Sequence, residues 1–136
     1  MGMAHVIPQL LQRAHHAPPG GKLLVFSPEH TRTFCYVTDA VEIILRLALS
    51  PGGTDRTLNV GAVAEETTIS ELASLIAKTI GKKLTIERGP VTEGSAVRRR
   101  PDVSLASSIT CYEAEVQLAE GIRRTYDWYR SHEFGS

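Results

Sequence analysis

The spacing of apolar residues predicts helices along much of the chain. Val6, Leu10 and Ala14 recur at helical intervals, and Pro8 is tolerable there because it would lie in the first turn. The same spacing returns in a longer, more apolar helix, in a short helix and in a closing helix. The predicted helices cover residues 6–16, 38–49, 69–80, 104–109 and 118–132.

Several predicted helices carry recognisable end signals. Thr38 is a predicted N-cap with Asp39 in the first turn, and Asp39 and Asp102 are both assigned structural capping roles as helix-start carboxylates. The sequence Thr68-Ile69-Ser70-Glu71 has the form of a capping box, and Gly81 supplies the C-terminal stop of the same helix.

Short alternating or apolar runs between these helices predict strands over residues 22–26, 32–37, 56–61 and 83–89. Because strands and helices alternate, the predicted fold class is α/β, in the form of a small α+β-like domain. The strands are few and short, however. The helix predicted at 38–49 is apolar around much of its circumference, so we expect it to be covered on more than one side.

Composition restricts the possible functions. The chain has 136 residues, which suggests one domain, with 42% hydrophobic and 22% charged residues. Lys+Arg and Asp+Glu number 15 each, so no overall charge favours nucleic acid or an anionic membrane, and any anion site must be local. The longest apolar run is too short to span a bilayer.

The cysteines and the chain ends suggest an ordinary cytoplasmic protein. Cys35 and Cys111 form neither a disulfide framework nor a metal motif, so a reducing compartment is expected. The N-terminus lacks the features of a signal peptide. The closing "EFGS" has no evident structural logic and is interpreted as a cloning remnant, which leaves residues 1–132 as the domain and 133–136 as a tail.

Motifs for self-contained catalysis are absent from the sequence. It contains no GxGxxG or GxxxxGK[ST] turn, no GxSxG elbow, and no tyrosine followed four positions later by lysine. The histidines have no partners at metal-ligand spacing. We therefore predict no catalytic, cofactor-binding or metal-ligating residue in this chain. The histidines are His5, His15, His16, His30 and His132.

Several motifs, in order, resemble the extended short-chain dehydrogenase/reductase family of NAD-dependent sugar-nucleotide epimerases, dehydratases and decarboxylases. The run "TRTFCYVTDAVEIILRLA" is similar to the family's Thr-Arg-x-Phe-x-Tyr-Val-x-Asp segment and following helix. The later runs "TLNVG", "TISELASLI", "RRRPDVSLASSI" and "EVQLAEGIRRTYDWYR" continue the resemblance, and "HVIPQLLQRA" is similar to the helix that opens the family's C-terminal half.

The resemblance covers only the substrate-binding C-terminal half of that family. The N-terminal Rossmann half carries the GxxGxxG turn for NAD and the YxxxK catalytic pair, and neither motif is present here. The resemblance therefore implies a fragment, begun at an internal methionine, that contains no cofactor and is inactive alone. NAD would serve the intact enzyme. One departure is Cys111-Tyr112 where the family has Gly-Trp, which implies a different turn or some strain.

Four residues are candidates for substrate binding by this resemblance. Arg32 is the expected diphosphate clamp, because a guanidinium group matches phosphate oxygens two at a time. Arg99, and after it Arg98, would close on the phosphates or ribose from the other side. Side chains alternate in an extended segment, so Arg98 and Arg100 should point one way and Arg99 the other. Phe26 would lie beside the nucleotide base.

Two functions remain open from the sequence. The favoured one is a domain that holds a sugar nucleotide, with a UDP-sugar as the expected ligand, for an enzyme whose Rossmann half lies elsewhere. The alternative is a free-standing, non-catalytic module that binds an anion or a protein. In either case an uncovered "TLNVG" strand and 38–49 helix predict self-association of the isolated chain. The motifs do not identify the sugar or the base.

Overall fold

The computed structural model describes residues 5–135, which form a mixed α/β fold. The helices are α1 (Val6–His16), α2 (Val37–Leu49), α3 (Ile69–Thr79), α4 (Ser104–Thr110) and α5 (Leu118–His132). The strands are β1 (Lys22–Val25), β2 (Thr31–Arg32), β3 (Thr67–Thr68), β4 (Thr85–Arg88) and β5 (Arg98–Arg99), and a 3₁₀ turn spans Pro51–Gly53.

The strands form two small sheets. In the first, β1 and β4 run parallel, with Leu23 opposite Ile86. The second has the order β3-β2-β5, in which β2 pairs antiparallel with β3 and parallel with β5. The parallel pair places Arg32 opposite Arg99, although these residues are far apart in the sequence. The second sheet is therefore the element that positions the candidate arginines.

The core lies between β1 and helices α1, α3 and α5. Its apolar side chains come from the inward faces of each element, as the helical and alternating periodicities predict. Burial of such side chains is the main source of stability in a domain of this size. The largest fully buried side chains are Leu11, Leu23, Val25, Leu72, Ile76 and Ile122.

The strongest sequence signals for helix ends are confirmed. The side chain of Thr68 accepts a hydrogen bond from Glu71 N–H at 3.1 Å, and the Glu71 carboxylate accepts one from Thr68 N–H at 2.8 Å, which completes the capping box of α3. Gly81 follows the helix with φ +74°, the left-handed conformation expected of a C-terminal glycine. The bounds predicted for α1 and α5 agree with the structure.

Two strand predictions are wrong. Of the predicted 32–37 strand only Arg32 is in a ladder, as part of β2, and Val37 already belongs to α2; residues 56–61 form no strand. A strand requires a partner for its backbone groups. Among residues 5–135, neither the stretch that follows β2 nor residues 56–61 pairs with another strand. Their alternation therefore reflects extended, half-buried chain rather than sheet.

The start of α2 also differs from the prediction. The helix begins at Val37 with Tyr36 as its N-cap residue, so Thr38 lies inside the first turn and does not cap it. Asp39 is 3% exposed and its carboxylate accepts hydrogen bonds from the Tyr112 hydroxyl at 2.8 Å and from Val116 N–H at 3.0 Å. Asp39 is structural, as expected, but it fastens the segment before α5 to α2 instead of capping a helix.

This carboxylate is held in its charged form. Burial alone would raise the pKa of Asp39, but the hydrogen bonds from Val116 N–H and the Tyr112 hydroxyl outweigh it and hold the pKa below its usual value. The hydrogen bond that the Tyr112 hydroxyl donates to Asp39 raises the pKa of Tyr112 to about 12. Asp102, by contrast, does act at a helix start, because its carboxylate accepts from Ser104 N–H at 3.0 Å and from the Ser104 hydroxyl at 2.7 Å.

Cys111 confirms the strained alternative expected at the end of α4. It has φ 48° and ψ 35°, the left-handed conformation for which glycine is usual, and its N–H donates to Ser107 O at 2.9 Å. The turn therefore keeps the geometry of a glycine cap although the residue has a side chain. For a non-glycine residue this conformation costs roughly 1–2 kcal/mol.

The outer face of α2 is apolar and uncovered in this chain, so the helix is covered on one side only, and the exposed face is the apolar patch expected of the isolated chain. Its exposed side chains recur at i, i+4, i+7, i+8 and i+12, which places them on one stripe. An uncovered stripe of this kind suits contact with another protein surface. The stripe, called the α2 face below, consists of Val37, Val41, Ile44, Leu45 and Leu49, with exposures from 47% to 85%.

The closing tail makes contacts that the sequence did not suggest. The Phe134 ring stacks on His15 with centroids 5.0 Å apart and on Tyr129 with centroids 5.3 Å apart, and it packs against the core. Among the residues that the structure describes, no helix is both long and apolar enough to cross a membrane.

Candidate functional site

A cavity of about 540 Å³ opens between the start of α1, the end of β1 and the segment that leads into β5. Volumes of a few hundred Å³ are usual for small-molecule sites. Its lining includes the apolar residues Ile7 and Phe34 and the cationic residues Arg32 and Arg99. The cavity therefore combines an apolar surface with two cationic groups.

The two arginines reach the cavity because of sheet register. Arg32 on β2 lies directly opposite Arg99 on β5, and paired residues of neighbouring strands project to the same side of a sheet. Partial burial, together with the neighbouring Arg99 charge, lowers the pKa of Arg32. Two like charges held side by side are stabilised by an anion placed between them.

The neighbouring arginines point away from the cavity. Arg98 makes a bidentate pair with Glu66, with Nη2 to Oε2 at 2.7 Å, and Arg100 lies 3.9 Å from the same carboxylate. Hydrogen bonds from Arg98 lower the pKa of Glu66 to about 2. This division follows the alternation predicted from the sequence. Of the candidate arginines, Arg32 and Arg99 thus share the cavity, and Arg98 does not line it.

Phe26 lies at the cavity wall directly after β1. The residue is 39% exposed, which is unusual for a phenylalanine next to a buried strand. The Arg13 guanidinium lies 5.4 Å from the ring centroid, so one part of the ring is already in a cation–π contact. The exposed part leaves a flat apolar surface available to a ligand.

Several cavity residues were not identified from the sequence, and three of them stand out for their burial or their position. Ser27 is buried and has φ 49°, a conformation that non-glycine residues rarely adopt outside constrained sites. His30 is 4% exposed, and Ser95 comes from the loop before β5. His30 was one of five scattered histidines, and Ser95 stood in a polar loop, so neither carried a local signal.

The arrangement is suited to holding an anionic ligand that also has an apolar part. Guanidinium groups bind phosphate or carboxylate oxygens with charge-assisted hydrogen bonds. Among the described residues, no group of histidine, cysteine, aspartate or glutamate side chains is arranged to hold a metal ion. The geometry favours binding and orientation of a ligand through cationic side chains.

Comparison with known proteins identifies the class. The NAD-dependent epimerase/dehydratase family model matches residues 1–61. UDP-glucuronic acid decarboxylase 3 of Arabidopsis thaliana is 34% identical over 104 residues, which cover 76% of this chain and 30% of that protein. UDP-glucose 4-epimerase of Mycolicibacterium smegmatis is 34% identical over 101 residues, covering 74% of this chain and 32% of that protein.

Solved structures share the fold. A UDP-glucose 4-epimerase from Thermotoga maritima, solved with UDP-glucose, superposes with a TM-score of 0.82 at 24% identity, covering 96% of this chain and 40% of that one. A UDP-glucuronic acid 4-epimerase from Bacillus cereus, in complex with UDP-glucuronic acid and NAD, gives 0.79 at 23% identity, with coverages of 92% and 39%.

The chain belongs to the extended short-chain dehydrogenase/reductase family of NAD-dependent epimerases and dehydratases. The resemblance inferred from the motifs is thereby confirmed. The chain spans about a third of the length of the curated relatives that it matches.

Proposed function

We propose that this chain is the C-terminal, substrate-binding part of a sugar-nucleotide enzyme of that family and holds the nucleotide diphosphate. The observation that carries the proposal is the pairing of Arg32 and Arg99 across β2 and β5 at one wall of the cavity. Relatives named as UDP-glucuronic acid decarboxylases and a UDP-glucose 4-epimerase support a UDP-sugar as the ligand. Arg98 has no direct part, because its guanidinium is engaged by Glu66.

In this proposal the diphosphate lies between the two guanidinium groups and the base lies against the apolar wall near Phe26. With the base and the diphosphate both held, the orientation of the sugar is fixed. The sugar would then extend out of the cavity toward the reacting groups. Binding energy at the diphosphate serves to position the sugar and not to break its bonds.

The chemistry belongs to groups outside this sequence. No GxxGxxG turn and no YxxxK pair is present, so NAD binding and proton abstraction fall to another part of the intact protein. NAD there would carry the redox step. We propose that the chain alone turns over no sugar nucleotide, that it works in the cytoplasm, and that the α2 face promotes self-association when uncovered. The free-standing module is the less favoured alternative.

Calorimetric titration with UDP, dTDP, GDP and CDP tests the site. We expect UDP to bind, and we expect Arg32→Ala to weaken it roughly 10- to 100-fold, since a hydrogen bond to a charged group contributes about 1.5–3 kcal/mol. Arg98→Ala is the matched control, because it removes the same charge from a neighbouring position that faces Glu66.

Two results would contradict the proposal. Unchanged UDP affinity in a folded Arg32→Ala variant would show that Arg32 does not bind the diphosphate. Equal losses in Arg32→Ala and Arg98→Ala would indicate a general effect of charge. Folding of each variant is checked by its circular dichroism spectrum and urea midpoint.

A further inference from the structure

The hydroxyl of Ser95 contacts both Arg32 and the buried His30. Arg32 Nη2 donates to Ser95 Oγ at 3.2 Å, and His30 Nδ1 lies 3.2 Å from the same oxygen. His30 is 4% exposed, so its ring is fixed by its surroundings. Ser95 therefore connects the partly buried Arg32 side chain to the buried His30 ring.

Arg32 has limited support from elsewhere. Its Nη1 donates to the backbone oxygen of Thr31 at 2.7 Å and, at 3.4 Å, to that of Val97. Both acceptors are backbone oxygens at the start of the β2–β5 pair. Within residues 5–135, Ser95 is the side-chain acceptor that its guanidinium contacts. A long side chain with four rotatable bonds loses considerable conformational entropy when it is held in place.

The loop that carries Ser95 is fastened to the same segment as His30. Thr92 N–H donates to Ser27 Oγ at 2.9 Å, and Ser27 N–H donates to Pro90 O at 3.0 Å. At its other end Thr31 N–H donates to Val97 O at 2.9 Å. These bonds fix both ends of the loop and keep Ser95 over the cavity. The left-handed backbone of Ser27 is part of this attachment.

The direction of the hydrogen bonds follows from the donors available. Arginine only donates, so Ser95 Oγ is the acceptor for Arg32. The Ser95 hydroxyl hydrogen is then free to point at His30 Nδ1, which accepts when the neutral ring carries its proton on Nε2. In this arrangement His30 turns a lone pair of Ser95 toward the guanidinium.

We propose that Ser95 is a positioning residue that holds the Arg32 guanidinium at the cavity wall, and that His30 sets the orientation of its hydroxyl. The role rests on the proposed diphosphate site, since Arg32 is the group that would meet the ligand. Ser95 does not replace Arg32. It reduces the number of conformations that Arg32 must give up when the ligand binds.

A first experiment needs no ligand. The side-chain N–H resonances of Arg32 are observed by NMR in the free protein and assigned with Arg32→Lys. Restricted rotation in the wild type should give sharp, slowly exchanging signals. Ser95→Ala should broaden them or speed their exchange at least severalfold, and Ser95→Thr, which keeps the hydroxyl, should restore them. Unchanged Arg32 signals in Ser95→Ala would overturn the proposal whether or not UDP binds.

A second experiment uses UDP and UMP. Ser95→Ala should weaken UDP roughly three- to tenfold, the range for one ordinary hydrogen bond, and Ser95→Thr should recover most of the loss. In an Arg32→Ala background, Ser95→Ala should have no further effect, because its action passes through Arg32. An equal effect in both backgrounds would overturn the positioning role. If the wild type bound neither nucleotide, the proposed function would fail and the NMR result would stand alone.

His30→Asn and His30→Leu test the second part. Asparagine retains a polar atom near the position of Nδ1, whereas leucine removes it. The Arg32 signals should be preserved in His30→Asn and disturbed in His30→Leu. Urea unfolding of both variants separates this effect from loss of the fold, because His30 is buried. Equal behaviour of the two variants at equal stability would contradict the orienting role.

Discussion

The carboxylate of Asp39 offers the sharpest test of the structural reasoning, through Asp39→Ala and Asp39→Asn. The wild-type group accepts from the Tyr112 hydroxyl and from Val116 N–H while only 3% exposed. Alanine leaves both donors without their partner. An unsatisfied buried polar group costs about 1–3 kcal/mol, so Asp39→Ala should lower the free energy of unfolding by about 2–5 kcal/mol.

Asparagine should cost less, because its shape and part of its bonding are retained. Its oxygen can still accept from Val116 N–H, and its amide can donate to the Tyr112 oxygen once the hydroxyl turns. What is lost is the charge. We expect Asp39→Asn to lower the free energy of unfolding by about 1–2 kcal/mol at pH 7, a measurable fraction of the 5–15 kcal/mol typical of small domains.

The pH dependence has a definite sign. The pKa of Asp39 is lowered in the folded protein, so the charged carboxylate stabilises the fold above its unfolded pKa of about 3.9. That stabilisation is lost as the pH falls through the lower folded pKa. The difference between wild type and Asp39→Asn should therefore be complete at pH 7 and should shrink at acidic pH, below the unfolded value.

Urea unfolding at pH 7 and at acidic pH measures both effects. Glu113→Gln is the control, because Glu113 is an exposed carboxylate on the same segment as Tyr112. We expect that variant to stay within about 0.5 kcal/mol of wild type. Equal stabilities of wild type and Asp39→Asn at pH 7 would refute the reasoning, as would a difference that stays constant on acidification.

Two further predictions concern the left-handed cap and the α2 face. Cys111→Gly should raise the free energy of unfolding by about 0.5–1 kcal/mol, because glycine relieves the strain at φ 48° but loses more conformational entropy on folding. Cys111→Ala should not raise it, and urea midpoints measure both variants. Ile44→Lys should reduce concentration-dependent association in sedimentation velocity, whereas Val91→Lys, on an exposed loop, should not. A wild-type chain that stays monomeric at high concentration would contradict the prediction that the α2 face promotes self-association.

The sequence was most informative where structure depends on neighbours in the chain. Three local signals are confirmed: the capping box at Thr68 and Glu71, the helix stop at Gly81, and the helical spacing of apolar residues along α5. The separation of Arg99 from Arg98 also followed from simple alternation. These features need no knowledge of distant contacts.

The remaining features depend on residues that are far apart in sequence. The 56–61 stretch has strand-like alternation but no partner for its backbone within the described residues, so it forms no ladder. Asp39 looked like a cap because its actual partners, Tyr112 and Val116, lie more than 70 residues later. His30 and Ser95 meet only through loop packing. No local pattern could have paired them.

The two-residue pairing of β2 with β5 has a thermodynamic consequence. Arg32 and Arg99 come together only when the long intervening chain has closed, and closing it costs entropy that grows with its length. A dianion held by both guanidinium groups would act as a reversible cross-link between distant parts of the chain. It would bind the closed form alone and so favour folding by mass action. A ligand in the cavity would then also stabilise the pairing of β5 with the rest of the domain.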